Sequence, residues 1–564
     1  MQNQLIECVP NISEGRDLKK INTIAEVVQT VAGVKLLDID PGKATNRTVI
    51  TFAGPPEAVI EAAFLLVKTA GSLIDMRQHS GEHPRFGATD VCPLVPIAGI
   101  TLEETAVYAH KLGTRIGEEL GIPGYFYEAA ALSDSRKNLA NCRSGEYEGL
   151  VKKLKDPNWK PDFGPAAFTP EVAKTGAIAI SARDFLIAYN VNLNTTSTRR
   201  ANAIAFDIRE AGRIAREGNP ITGKKKLNAQ GEPIRIPGKL KAVKGIGWYI
   251  EEYGIAQISY NLTNISITAM HEAFDESCKA ALKRGLRVTG SELVGLVPLK
   301  AMLDAADYYL TKQHRSLGIS TEEKIKIAVK SLGLDDLKPF IPEEKIIEYK
   351  LKSPAKKQLI DLNLKAFASI TAADTVAPGG GSIAAYVGAL GVSLGTMVAN
   401  LSAHKAGWDD RWEEFSDWAV KGQAFQEKLL YLVDEDTSAF NRIIEGFRMP
   451  KSTDEEKEQR KKAIEEATKY AIEIPYELMQ TAYASMEIMQ EMLTKGIPSS
   501  LSDGAVGALC ARTAVIGGYF NVRINAKDLK DRAYADSIIA KADKIYQSTI
   551  QKEAEIIAYV DTQF

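Results

Sequence analysis

Two hydrophobic periods alternate along the first half of the chain. Stretches with every second residue apolar, as in a half-buried strand, are separated by stretches with apolar residues three and four apart, as in a helix lying on a sheet. The spacing predicts strands over 4–10, 34–40, 46–54, 90–97 and 124–130, and helices over 16–31, 55–74 and 101–121. A Pro-Gly-Lys-Ala-Thr turn, 41–45, separates the second and third strands. The order strand–helix–strand–strand–helix–strand–helix–strand points to a ferredoxin-like, split βαβ sheet. The pattern then restarts. A strand at 185–193, a helix at 198–216, two strands within 240–262, a helix at 269–285 and a strand–turn–helix at 288–310 form a second set. The polar run 217–237 reads as an exposed insert.

Beyond about residue 320 the strand period disappears. Helical periods cover 358–373, 382–403, 411–446, 453–495, 502–519 and 533–561. The fold class expected is therefore multidomain: two α/β (ferredoxin-like, mixed-sheet) subdomains at 1–181 and 182–350, a charged Pro-containing linker at 351–358, and an all-α domain at 359–564. Residues 375–402 carry no charge and are long enough to span a bilayer. Ser393, Thr396, Asn400, Ser402 and the glycine-rich opening, in a stretch that stands alone in the chain, favour a buried helix instead.

The chain has 564 residues, too many for one core. A net charge of −2 gives no overall electrostatic signature of nucleic-acid binding. Cys8, Cys92, Cys142, Cys278 and Cys510 are odd in number and form no CxxC pair, which points to a reducing compartment. "MQNQLIECVPNISEG" lacks the basic and apolar regions of a signal peptide, so a cytoplasmic protein is expected.

Five stretches carry candidate chemistry. "HSGEHPRFGATDVCPLVP" holds His79 and His83 at HxxxH spacing. Ser80 and Gly81 after the first histidine and Pro84 after the second argue against one helix face of zinc ligands. A neutral imidazole acting as base suits this loop, and so does a plain turn. In "LLDID" strand geometry puts Asp38 and Asp40 on one face and Leu37 and Ile39 on the other. Two such carboxylates can orient an imidazole, or simply cap the turn. "APGGGSIAA" places Gly379, Gly380, Gly381 and Ser382 at a helix start, either as backbone donors for an anion or polarised carbonyl or as a tight turn. It has neither the preceding strand of a dinucleotide fingerprint nor the Gly-Lys-Ser/Thr of a P-loop.

In "KLLYLVDEDTSAFN" Leu429, Val433, Asp436 and Phe440 share a helical stripe, with Asp434 about 200° away from Asp436. A carboxylate on an apolar stripe is either a functional acid or base or half of a buried ion pair. Asn521 and Asn525, one turn apart in "GYFNVRINAKD", suit recognition of a planar heterocycle or a pair of helix–helix contacts.

"LIECVPNISEGRD", "LLDIDPGKATNRTVITFAG", "HSGEHPRFGATDVCPLVP", "DFGPAAF", "GIGWYIEE" and "LVGLVPLKAMLDAA" resemble formimidoyltransferase motifs. "APGGGSIAA", "LVDEDTSAFN" and "GYFNVRINAKD" resemble cyclodeaminase motifs. Their order and extent resemble the fused formimidoyltransferase-cyclodeaminase family across essentially the whole chain. The resemblance implies transfer of the formimino group of N-formimino-L-glutamate to N5 of tetrahydrofolate, then cyclisation to 5,10-methenyltetrahydrofolate with loss of ammonia. It implies His83 as the transferase base, Asp40 as its partner and Asp436 as the cyclodeaminase carboxylate.

It also implies folate contacts at Gly164, Pro165, Ala166, Ala167, Phe168, Thr169, Pro170, Glu171, Val172 and Ala173, and at Gly238, Lys239 and Leu240. Tetrahydrofolate, polyglutamylated, is the implied co-substrate, with no metal; the protein is expected to be a homo-oligomer with no nucleic-acid or membrane partner. The insert 217–237 and the end of the 164–173 segment depart from the animal pattern. Lys224, Lys225 and Lys226 in the insert suit a polyglutamate tail or a solvated charge run. One alternative is a glutamate formyltransferase fused to a methenyltetrahydrofolate cyclohydrolase; another is a scaffold that retains the fold without turnover.

Overall fold

In the computed structural model the described residues are 4–42, 46–80, 85–218, 223–351, 358–375, 377–527 and 529–563. They fall into two compact units, one of residues 1–305 and 329–353 and the other of 306–328 and 354–564.

Among the described residues the first unit contains two large sheets and a separate two-stranded ribbon. The first is built from β1 (Leu5–Cys8), β2 (Asn11–Ile12), α1 (Leu18–Glu26), β3 (Lys35–Gly42), β4 (Arg47–Gly54), α2 (Pro56–Leu73), β5 (Thr89–Ala98), α3 (Leu102–Arg115) and β6 (Gly124–Glu128). The short helices α4 (Leu139–Cys142), α5 (Glu146–Lys153) and α6 (Pro170–Thr175) then lead to β7 (Ile178–Ala182). Asp17 caps α1, and Thr101 and Glu104 form a capping box on α3, so these helices start where their first free N–H groups find oxygen acceptors. β3, β4, the β1–β2 pair and β5 run antiparallel in that spatial order; β7 and β6 extend the sheet in parallel from β5.

β7 was not foreseen. Its Ile178, Ile180 and Ala182 face the core with the helices, while Ala179 faces the core on the other side with Val91 and Tyr125. A strand covered on both faces is apolar throughout and shows no alternation.

The second sheet and its helices come from β8 (Ile187–Leu193), α7 (Thr198–Ile208), β11 (Val243–Ile250), β12 (Ile255–Leu262), α8 (Met270–Leu282) and β13 (Val288–Val294), while the two-residue strands β9 (Arg213–Ile214) and β10 (Arg235–Ile236) between α7 and β11 form the ribbon. The order β11-β12-β8-β13 is antiparallel throughout. It repeats the strand–helix–hairpin–helix–strand order of the first sheet. The helix predicted over 198–216 ends at Ile208, because Gly212 turns the chain in a left-handed conformation (φ 57°) and β9 then pairs with β10. After β13 come α9 (Leu299–Lys312), α10 (Thr321–Leu332), α11 (Pro342–Lys345) and α12 (Ile347–Leu351).

The division between units cuts α9 and α10, whereas the sequence places 306–328 with the second subdomain. Residues 314–318 explain this grouping. Ser316 N–H donates to His404 Nε2 (3.2 Å), Leu317 N–H to Ser416 Oγ (3.0 Å), and Asn400 Nδ2 to the Gly318 carbonyl (2.9 Å).

The second unit is helical: α13 (Leu364–Thr371), α14 (Gly380–Ala403), α15 (Trp412–Arg448), α16 (Asp454–Lys495), α17 (Leu501–Ala526) and α18 (Arg532–Asp561). α14 is buried through a run of small residues. A side chain on Gly391 would come within 2.8 Å of the Gly507 carbonyl, so α14 and α17 pack almost backbone to backbone. Among the described residues two helices are long and apolar enough to cross a membrane, Gly380–Ala403 and Pro498–Ala526, so the expectation that the uncharged stretch stands alone is corrected. α14 lies in the core cluster of the helical unit through Ala385, Val392 and Ala399.

Candidate active sites

Asp40 sits at the exposed end of β3. A bulge between Leu36 and Asp38 sets Asp38 opposite Thr51 and Asp40 opposite Val49, so both carboxylates share the sheet face turned away from α1 and α2. Ile39 faces those helices, but Leu37 does not. It packs with Ala53 and Ile347 on the carboxylate face, because the bulged residue breaks the period of two. The predicted pairing of Leu37 with Ile39 is corrected accordingly.

His83, together with Gly81, Glu82 and Pro84, lies outside the described residues, as do Lys43–Thr45 of the turn. The residues on either side of these segments are tied into one network. Asn46, nearly buried and left-handed (φ 48°), accepts from Gly15 N–H (3.0 Å) and donates to the Ser80 carbonyl (2.9 Å). His79 Nε2 lies 2.8 Å from the Asn46 carbonyl, and Arg85 Nε donates to His79 Nδ1 at 3.2 Å. A guanidinium only donates, so Nδ1 is an acceptor and Nε2 carries the hydrogen: His79 is the neutral tautomer. Burial holds its pKa below 6.5, and the Arg85 charge acts in the same direction. With both nitrogens committed, His79 fastens the loop and is not available as a ligand.

Arg85 in turn holds Glu148 (2.7 Å) and Glu146 (3.3 Å) of α5. Between them Tyr147 donates its N–H to the Arg85 carbonyl (3.0 Å) and its hydroxyl to the Ala173 carbonyl (2.5 Å). Its ring lies 6.5 Å from that of Phe168. Thus α5 joins the histidine loop to the Gly164–Ala173 segment.

That segment turns at Gly164 (φ 76°), where a side chain would meet the Ile122 carbonyl at 2.3 Å. Ala166, Ala167, Pro170 and Glu171 are exposed, Pro165 and Phe168 are half-buried, and Val172 is buried. Thr169 Oγ1 caps α6.

Gly238, Lys239 and Leu240 belong to the second sheet's subdomain. Lys239 and Leu240 N–H groups bond to the carbonyls of Asp207 and Ile208 at the end of α7, and Lys239 pairs with Glu276. These bonds anchor the segment to α7 and α8, not to Gly164–Ala173.

Sequence reasoning missed one charged cluster. Asp90, fully buried, takes Arg47 (2.5 Å), Arg143 (2.7 Å) and the Phe86 N–H (3.0 Å). Two guanidiniums thus meet on one buried carboxylate, and Phe86 and Asp90 follow the two histidines in sequence. The signal was available: Arg47 and Asp90 each begin an apolar strand run, where a charge must find a partner.

In the helical unit the predicted residues converge. Asp436 Oδ2 accepts from Ser382 N–H (2.8 Å) and Ser382 Oγ (3.0 Å), and Thr437 Oγ1 lies 3.3 Å from that hydroxyl. A side chain on Gly381 would lie 2.1 Å from Asp436 Oδ1, so only glycine leaves that oxygen room. Burial pushes the Asp436 carboxyl above the usual carboxylate range, while the Ser382 hydrogen bonds pull it back.

Asn521 faces Gly380 and donates to the Gly517 carbonyl (2.8 Å). Leu429 and Val433 are buried as the stripe predicts, but Phe440 is exposed, so the stripe runs out of the core past Asp436. Asp434 accepts from the Leu359 N–H (2.7 Å), a structural duty. Asn525 Nδ2 donates to the Ala471 carbonyl (2.7 Å), which makes it a helix–helix contact. Among the described residues no group of three or more His, Cys, Asp or Glu side chains could hold a metal ion.

Three family models match the chain in succession: "Formiminotransferase domain, N-terminal subdomain" over residues 5–183, "Formiminotransferase domain" over 188–352 and "Formiminotransferase-cyclodeaminase" over 363–544. The chain is 41% identical over 562 residues to formimidoyltransferase-cyclodeaminase of Mus musculus, covering 100% of this chain and 99% of that protein. It is 41% identical over 326 residues to glutamate formimidoyltransferase of Thermoplasma acidophilum (57% of this chain, 98% of that one). It is 31% identical over 173 residues to methenyltetrahydrofolate cyclohydrolase of Methylorubrum extorquens (31% and 83%).

Proposed function

The chain belongs to the formimidoyltransferase-cyclodeaminase family, and from that premise we propose that it performs two successive reactions on one folate. The formimino group passes from N-formimino-L-glutamate to N5 of tetrahydrofolate, releasing L-glutamate. The 5-formiminotetrahydrofolate then cyclises to 5,10-methenyltetrahydrofolate and releases ammonia, a route that ends histidine degradation at glutamate. The observation that carries this reading is the likeness to a bifunctional relative over 99% of that protein's length, so that neither half is missing.

In the first step N5 attacks the formimino carbon, His83 takes the N5 proton and Asp40 orients the imidazole. The proton then goes to the glutamate nitrogen as its bond to carbon breaks. Support comes from the shared network of Asn46, His79 and Arg85, which anchors both ends of the histidine loop and, through Tyr147, the Gly164–Ala173 segment read as folate-binding. Gly238–Leu240 complete the folate contacts in this reading.

In the second step N10 attacks the same carbon. Asp436 Oδ2 is saturated by Ser382, so Oδ1 is the reacting oxygen. Burial raises its basicity, and it accepts the N10 proton and returns it to the departing nitrogen, which leaves as ammonia. Gly379–Ser382 and Asn521 line this pocket. Asn525 supports it from behind.

Residues 1–181 and 182–350 form the transferase, ferredoxin-like in both subdomains, and 359–564 the cyclodeaminase. The repeated order of two antiparallel four-strand sets supports this reading. The protein is cytoplasmic and homo-oligomeric, and uses polyglutamylated folate without a metal. The exposed Leu390, Met397, Leu401, Val506, Leu509 and Phe520 on α14 and α17 support association between copies.

A formyltransferase–cyclohydrolase reading is favoured only by the cyclohydrolase likeness of the helical part; that pair of reactions releases no ammonia. His83→Ala abolishes glutamate release from formiminoglutamate and spares conversion of supplied 5-formiminotetrahydrofolate. Asp436→Asn does the reverse. Loss of both steps in either variant refutes the division of sites.

A further inference from the structure

A cleft of about 500 Å³ lies on α7 and the β9–β10 ribbon of the second subdomain, and none of the residues lining it is assigned to either reaction above. Five arginines line it: Arg199, Arg209, Arg213, Arg216 and Arg235. Asp207 pairs with Arg213 and is shared with Arg284. The other bonds that hold these guanidiniums run to carbonyl oxygens. Arg209 donates to Gly212 (3.0 Å) and Gly245 (3.1 Å), Arg216 to Gly223 (2.8 Å) and Arg235 to Ala211 (3.4 Å). Glu210, nearby in sequence, is engaged with the Ala242 N–H and Lys241.

Carbonyls aim a guanidinium without neutralising it. Four held cations, with Arg199 beside them, therefore line one cavity, and Asp207 is paired with one of the four. Burial and mutual repulsion with Arg235 already depress Arg209, and burial and Arg284 depress Arg213. Such crowding destabilises the empty protein and is relieved by an anion. The fork geometry of arginine matches carboxylates and phosphates alike. A carboxylate brings one charge and two oxygens. A phosphate brings close to two charges and three strong acceptors, so two joined phosphates match five forks in this volume far better than a dispersed set of carboxylates.

We propose that this cleft binds a ligand carrying two adjacent phosphate groups, as in pyrophosphate or the phosphate chain of a nucleotide. The ribbon that supplies Arg213 and Arg235 pairs the residues just before the insert with those at its end. Backbone bonds from Asp207 and Ile208 place it next to Gly238–Leu240, yet the proposal does not depend on the folate reading of that segment.

Inorganic pyrophosphate is titrated calorimetrically into the full-length protein at 150 mM salt, beside γ-linked triglutamate and inorganic phosphate. Saturable pyrophosphate binding is expected, at least about tenfold tighter than either comparison anion. It should weaken at least about tenfold in Arg216→Ala/Arg235→Ala, which removes two charge-assisted partners from the ribbon. Unchanged circular dichroism and unchanged conversion of supplied 5-formiminotetrahydrofolate show that the variant is folded. Absence of pyrophosphate binding, tighter binding of triglutamate, or equal affinity in the double variant would each overturn the proposal.

Discussion

In the proposed cyclodeaminase step, one methyl group would decide whether Asp436 can react. Its Oδ2 is held by the two Ser382 donors, and its Oδ1 lies where a side chain on Gly381 would have to stand. Gly381→Ala should therefore lower conversion of 5-formiminotetrahydrofolate by roughly 10²-fold or more, the scale of a lost general acid–base group. Glutamate release should stay at its wild-type rate. A variant that still cyclises normally would show that Oδ1 is not the reacting oxygen.

His79 makes a second prediction at this scale, through its charge. Its folded pKa is depressed below 6.5 by burial. A depressed histidine contributes stability above its unfolded pKa of about 6.5 and loses it as pH falls through the lower folded value. Melting temperature should drop between pH 7 and pH 5, and His79→Gln, which cannot titrate, should flatten that slope. Equal slopes in the two proteins would contradict the neutral tautomer assigned here.

Among elements, α16 and α17 meet at a repair of the helix ladder. Pro475 lies inside α16 and has no N–H to offer the Ala471 carbonyl four residues earlier. Asn525 Nδ2 supplies the missing donor from α17. Asn525→Leu should cost roughly 1–3 kcal/mol in urea unfolding, the range for orphaning a buried acceptor. The cost should fall by at least half in a Pro475→Ala background, where a backbone donor returns. Equal costs in both backgrounds would remove this account of Asn525.

The same contrast between local pattern and distant partners governs what was legible in the sequence. The long helices of the second unit stood out because a helical spacing of apolar residues runs over many turns in α15, α16 and α18, and small apolar residues fill α14 and most of α17. β7 did not, since burial on both faces erases the period of two. The bulge at Leu37 and the end of α7 at Gly212 depend on pairings far along the chain, which no local period records. Asp436 was legible because a charge on an apolar stripe breaks a local rule. The roles of Asn525 and Asp90 needed their partners, Ala471 in one case and two arginines in the other.

In the whole molecule, the two constellations lie in different compact units, Asp40 in the first and Asp436 in the second. The two reactions should therefore fail separately. The most direct measurement supplies tetrahydrofolate and formiminoglutamate to the purified protein and follows glutamate, ammonia and methenyltetrahydrofolate absorbance together. The wild type should release all three in equal amounts. Asp436→Asn should release glutamate alone, and His83→Ala should release none of the three until 5-formiminotetrahydrofolate is added. Glutamate release by the wild type without ammonia would contradict the two-step function.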